Sequence, residues 1–118
     1  MNGIRLGKIS KRVEKALSLS LTSEVGVYAP GNFLDSLAKA YPDHYLKIVD
    51  AIGKEILKSP DFVSFEQKKE EFRFLKIYCK NGIFSFWEIR LKHLGKPKKW
   101  ILVSFGRYQG KGIDFERV

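Results

Sequence analysis

Glu88 and Arg90 stand two residues apart in the strand-like run Phe86-Trp87-Glu88-Ile89-Arg90. On a strand that spacing points both side chains the same way, about 7 Å apart. A carboxylate and a guanidinium so placed can take a proton and stabilise an anion. Lys76, Ser104, Arg107 and Tyr108 lie in or next to neighbouring strand-like runs and could join them on one surface. Such a set suits metal-independent RNA cleavage. A base takes the 2′-hydroxyl proton, an acid protonates the leaving 5′-oxygen, and cations hold the charge on the phosphorane. Glu88 would be the base, Arg90 and Lys76 the electrostatic clamp, and Tyr108 a proton donor or stacking ring. Phe72, Phe84 and Phe86 could stack bases. The same Lys–Glu–Arg set also reads as an ordinary cross-strand salt bridge, and the aromatics as a second small core.

Whether these residues share a face depends on one turn. Phe72 to Cys79, Ile83 to His93 and Lys99 to Phe105 read as three strands, dense in aromatic and β-branched residues. Asn81-Gly82 between such runs is a strong hairpin signal. A two-residue turn pairs Lys76 with Trp87 and mixes aliphatic, aromatic and charged residues on both faces. A three-residue loop, Lys80-Asn81-Gly82, moves the register by one. It puts Leu75, Ile77, Cys79, Ile83, Ser85, Trp87, Ile89 and Leu91 on a dry face. Phe72, Phe74, Lys76, Tyr78, Phe84, Phe86, Glu88 and Arg90 then take the other. The three-residue solution separates the chemistry more cleanly and is the expectation, with Ile101, Val103 and Phe105 dry and Trp100, Leu102 and Ser104 open.

The positive charge lies in the same region. The 118-residue chain carries a net +9. Residues 71–118 hold 11 Lys/Arg against 4 Asp/Glu, while residues 1–70 hold 11 against 9. This asymmetry points to a polyanionic partner, RNA first, bound through Arg73, Lys92, Lys96, Lys98, Lys99, Arg107 and Lys111. An acidic protein or a membrane surface comes second, and the charge could also serve solubility alone.

The cysteine count excludes other classes. Cys79 is the only cysteine, so no intramolecular disulfide and no zinc site on paired thiols can form. It falls on the expected dry face as a small hydrophobe. His44 opens a helix beside Asp43 and could act as acid or base if that end folds over the sheet. His93 ends a strand among lysines. Two histidines without a supporting Cys or carboxylate pattern suggest no metal, and no phosphate-loop or hydrolase motif implies a cofactor. No apolar run is long enough to span a membrane or to form a signal peptide, so the expected location is the cytoplasm.

The remaining elements must position this sheet. Ile4 to Leu21 reads as a helix, with Ile9, Val13, Ala16, Leu17 and Leu21 at three- and four-residue spacing. Glu24 to Tyr28 reads as a short strand. Asn32 would cap a helix that Pro42 interrupts, and Asp43 would cap the next, through Leu57. Phe62 to Phe65 is extended, and Glu66 to Glu71 is a loop or helical turn. Ile113, Phe115 and Val118 could form a last short strand. The expected architecture is one α+β domain over 1–118, with N-terminal helices packed on one face of a largely antiparallel, meander-type sheet. Its parts are an N-terminal helix (1–23), a strand and two helices (24–61), and the sheet with a basic tail (62–118).

The order of short strand, helix, Tyr41-Pro42, helix, Lys58-Ser59-Pro60-Asp61, charged stretch and meander ending in Ser104 resembles a known family. It is similar to the phage-associated nuclease-like domains grouped with barnase, EndoU, colicin tRNases and RelE, the BECR fold. The resemblance covers about residues 24–108. It implies ribonuclease or toxin-like activity in mobile elements, on tRNA or another structured RNA, with an acidic antitoxin or immunity protein as a possible partner. The family's hydroxyl residue on the late strand matches Ser104. Its His before the Pro is replaced here by Tyr41, which leaves His44 as a displaced substitute or Tyr41 as a different acid.

Overall fold

The computed structural model describes residues 3–18, 26–94, 99–108 and 116–117, the last pair by their backbone. In chain order the elements are β1 (Ile4–Lys8), α1 (Lys11–Ala16), β2 (Gly26–Ala29), α2 (Gly31–Ala40) and α3 (Tyr45–Ala51). A π-helical turn (Ile52–Ile56) continues α3. Then come β3 (Phe62–Glu66), β4 (Glu71–Lys80), β5 (Ile83–Leu94), β6 (Lys99–Arg107) and β7 (Glu116–Arg117). The strands form one sheet in the order β1-β2-β6-β5-β4-β3-β7. Every pair is antiparallel except β2 with β6.

The α+β class and the mostly antiparallel sheet agree with the sequence. The simple meander does not. β3 to β6 follow one another across the centre, but β2 joins β6 in parallel and brings β1 with it. Nor are the helices gathered on one face. α3 and the π turn cover one face of β4–β6, whereas α2 lies against β6 beside a groove lined by Ile101, Leu102 and Val103. Those neighbours point to alternate sides of the strand.

Two local readings change for visible reasons. Ile4–Lys8 is a strand and not the start of a helix, because the helix begins only after Ser10, whose hydroxyl accepts the Val13 N–H at 3.3 Å. Leu21, assigned to the same helix, lies outside the described residues. Pro30, not Asn32, stands at the N-cap of α2, and His44, not Asp43, at the N-cap of α3. Pro42 does end α2 as expected, because a proline in the helix interior would remove a backbone donor.

The hairpin register is the main correction. Lys76 pairs with Trp87 and Lys80 with Ile83, so the turn is the two-residue Asn81-Gly82. Both residues have positive φ, 53° and 76°. That is the left-handed pair whose twist matches the twist of the flanking strands. One face therefore combines Phe72, Phe74, Lys76 and Tyr78 with Ser85, Trp87, Ile89 and Leu91. Phe74, Ile89 and Leu91 are fully buried there, with Trp100 and Leu102 of β6. Val13, Leu34, Ile52, Ile56 and Leu57 complete the core from the helices. Gly53 allows the tightest approach: a Cβ there would sit 2.5 Å from the Leu6 carbonyl oxygen of β1. The other face carries Arg73, Leu75, Ile77 and Cys79 beside Phe84, Phe86, Glu88 and Arg90. Cys79 is thus exposed, not buried in the core.

Candidate functional site

On the second face, β4 and β5 set Arg73 directly opposite Arg90. Two guanidiniums in register repel one another, and carboxylates resolve the conflict. Glu88 Oε2 accepts from Arg73 Nε at 3.0 Å and from Nη2 at 2.7 Å. Arg90 donates to Glu71 at 3.0 Å and to Glu66 at 3.5 Å, and its other nitrogen lies 3.6 Å from Glu88. Arg73 is only 4% exposed. Desolvation alone would lower the Arg90 pKa. The Glu71 hydrogen bond and the charges of Glu88, Glu71 and Glu66 outweigh it and hold the pKa above its ordinary value.

A β-bulge near Val103 restores Ser104 to the position opposite Arg90. Tyr108 follows the end of β6: its N–H donates to the Phe86 carbonyl, and the Arg73 guanidinium lies 5.8 Å from its ring centre. The structure therefore brings Glu88, Arg90 and Ser104 together, with Tyr108 beside Arg73. Lys76 is not among them. It lies on the opposite face, where Nζ donates to the Ser59 carbonyl at 2.6 Å and stands 3.9 Å from Asp61. Arg107 also faces away, opposite Trp87. The cluster as a whole sets two guanidiniums among three carboxylates, so the cations meant to clamp a phosphate are already engaged by the protein.

Chemistry collects more openly on the first face, between α3 and the sheet. A cleft of about 360 Å³ opens there. Trp87, Phe105 and Tyr78 form its sheet wall, and Ile48, Ala51 and Ile56 its helix wall. The exposed Tyr41, His44 and Lys47 make its outer lip. Pro42 builds the lip by stopping α2. The chain then turns, with the His44 and Tyr45 N–H groups donating to the Tyr41 carbonyl, and α3 starts with His44 at the edge. Trp87 and Phe105 stack at 5.1 Å between ring centres and 7° between planes. The Arg107 guanidinium lies 5.5 Å from the Trp87 ring centre, within the range of a cation–π contact.

The Tyr78 hydroxyl is fully covered, with the Glu55 carboxylate as its neighbour. Its pKa is pushed up to about 12, first by burial, then by the Glu55 charge and its pull on the hydroxyl proton, and last by Asp61. Of the expected site residues, His44 belongs here, and Tyr41, the other acid considered, stands beside it. Trp87, Phe105, Tyr78 and Lys47 were not anticipated. The available signal is the three- and four-residue spacing of Tyr41, His44, Ile48 and Ala51, which mixes aromatic, basic and apolar types.

Of the expected nucleic-acid contacts, Arg73 is buried in its ion pair. Lys92 lines the groove beside α2, and Lys99 Nζ lies 5.8 Å from the Tyr28 ring centre. Lys96, Lys98 and Lys111 lie outside the described residues. Among the described residues no group of three His, Cys, Asp or Glu is placed to hold a metal ion, and no helix is long and apolar enough to cross a membrane. Compared with protein-family models, curated proteins and solved structures, the chain finds no match in any of the three.

Proposed function

We propose that this protein binds single-stranded RNA at the cleft between α3 and β4–β6. The observation that carries this reading is the cleft's make-up: an aromatic wall of Trp87, Phe105 and Tyr78 beneath a lip that carries His44 and Lys47, in a chain of net charge +9. Its volume of about 360 Å³ falls within the range of small-molecule sites. An unpaired base stacks on aromatic rings, and cations at the edge hold its phosphates. Double-stranded RNA keeps its bases stacked and offers nothing to such a slot.

Fluorescence anisotropy with labelled, unstructured RNA tests it. Binding is strongest at low salt, and log K falls linearly with log salt, by roughly 0.7 per phosphate contacted. Lys47→Glu, at an exposed position, weakens binding and lowers that slope. Absence of binding at about 50 mM salt sinks the proposal, because phosphate contacts are strongest there.

A second reading is metal-independent RNA cleavage, favoured by His44 and Tyr41 at the lip and by the resemblance to BECR nucleases. The 2′-oxygen would bond to phosphorus as the bond to the 5′-oxygen breaks. His44 would take the 2′-proton and Tyr41 would return one to the leaving oxygen. Incubation with total RNA in EDTA decides between the two. Discrete fragments ending in a cyclic phosphate, lost in His44→Ala, mean cleavage, and retention of intact RNA means binding alone.

A further inference from the structure

Away from the ion pairs of β4 and β5, the second face carries cations of a different kind. Arg5 of β1 stands opposite Tyr28 of β2, Tyr28 opposite Ile101 of β6, and Ile101 opposite Lys92 of β5. Residues paired across neighbouring strands point to the same side, so these four form one row across the sheet. At about 4.8 Å between strands, the row is about 14 Å long. Lys99 lies two residues before Ile101, on the same side of β6, and its Nζ comes to 5.8 Å from the Tyr28 ring centre. Arg5 Nε and the edge of the Tyr28 ring stand 2.9 and 3.5 Å from the point that a Cβ on Gly26 would occupy, so the guanidinium and the ring are neighbours. Tyr28 is 40% exposed, and Arg5 and Lys99 are exposed as well. Among the described residues none of Arg5, Lys92 and Lys99 is held in an ion pair, whereas Arg73 and Arg90 both are. Past Ile101 the row enters the groove of about 410 Å³ beside α2, where Lys92 and the exposed Leu94 and Val103 meet Asn32 and Ser36.

We propose that this row is a second platform for single-stranded RNA: a base stacks on Tyr28, Arg5 and Lys99 hold the phosphates beside it, and the strand continues toward Lys92 in the α2 groove. It shares the RNA partner of the preceding reading but rests on different residues, on the opposite face of the sheet from the cleft. Each of these side chains alone is an ordinary surface residue. The register sets them in one line, a ring between cations that no carboxylate engages. Such a line matches a chain that alternates flat rings with charges. The ring decides for RNA over an acidic protein, because every nucleotide carries a base beside its phosphate, while an acidic side chain carries charge alone.

The test is fluorescence anisotropy of a labelled U12 ribo-oligonucleotide on the intact chain, beginning at about 50 mM salt. Tyr28→Ala weakens binding roughly tenfold, as loss of one stacked base allows, and Tyr28→Phe, which keeps the ring, binds like the wild type. Arg5→Gln combined with Lys99→Gln lowers the slope of log K against log salt by about 1.4, at about 0.7 for each phosphate contact. Both of those positions are exposed, so this variant decides the matter if Tyr28→Ala does not fold. Unlabelled U12 displaces the probe far better than poly-L-glutamate of equal total charge. Wild-type affinity in Tyr28→Ala, an unchanged slope in the double variant, or equal displacement by polyglutamate overturns the platform, and the last result points to an acidic protein instead. The cleft is judged separately by Lys47→Glu. If that change alone weakens binding, the cleft stands and the row falls; if only the row variants do, the row stands and the cleft falls. If U12 does not bind at all, the two fall together.

Discussion

The two faces of β4 and β5 exclude water by different means. On the first, Phe74, Ile89 and Leu91 are fully buried against the helices and need only apolar neighbours. On the second, one residue along, Arg73 and Glu71 are almost as deeply buried but are charged. They stay inside because each meets an opposite charge within 3.0 Å. The first arrangement tolerates local adjustment, since dispersion has no direction. The second does not, because removing either partner leaves a charge in a place that water does not reach. The comparison also explains why the candidate site belongs on the first face. The guanidiniums of the second are engaged by Glu66, Glu71 and Glu88, whereas the cleft places an exposed lysine and histidine over aromatic rings.

The contrast can be tested by breaking each face in turn. Phe74→Ala opens a cavity in the core and is expected to cost about 3–5 kcal/mol in urea unfolding. Phe84→Ala, on an exposed ring of the second face, is expected to stay within about 0.5 kcal/mol. Similar costs would mean that the second face also rests on apolar packing. Glu88→Ala is expected to cost about 3 kcal/mol by stranding Arg73. Adding Arg73→Met should restore much of that loss, and a double variant no better than the single one would remove the ion pair from the account.

Gly82→Val tests the turn that sorts the faces. At φ 76° a β-branched residue is strained, and a loss of about 1–2 kcal/mol is expected. An unchanged midpoint would argue for a different turn. The smallest effect concerns Tyr78. Its pKa in the folded protein is about 12 against an ordinary value near 10. The folded state therefore keeps a proton that the unfolded chain gives up. This contribution to stability is complete below pH 10 and is lost as pH rises from 10 to about 12. Tyr78→Phe should flatten the alkaline limb of the stability curve by a small amount, and an identical limb would show that the phenol is not buried in this way.

Much of the strand pattern could be read along the chain. β3 to β6 and the break at Pro42 follow from alternation, turn residues and the backbone limits of proline, all of which act over a few residues. The register across Asn81-Gly82 was less legible. Both faces of the β4–β5 pair mix ring, aliphatic and charged side chains, so neat separation of types is a poor guide. Cys79 and Phe74 changed places for that reason. β1 reads as helix because Ile9 and Val13 carry a helical period, while Ser10, which starts the helix, lies between them. His44 was recognised as a possible acid or base, but the rings beneath it come from residues 34 to 61 positions later in the chain.

Short-range features follow from the chain alone: the runs of β3 to β6, the stop of α2 before Pro42, the single thiol and the strong positive charge. These depend on backbone preference and composition, which need no distant partner. Long-range packing sets which face of each strand is buried, that β2 lies parallel to β6, and that Lys47 stands beside an open cleft. A one-residue slip reverses every side chain on a strand at little local cost. Its sense is set by what packs on the sheet: Phe74 beneath the helices, Arg73 against Glu88, and α3 leaning over Trp87 and Tyr78.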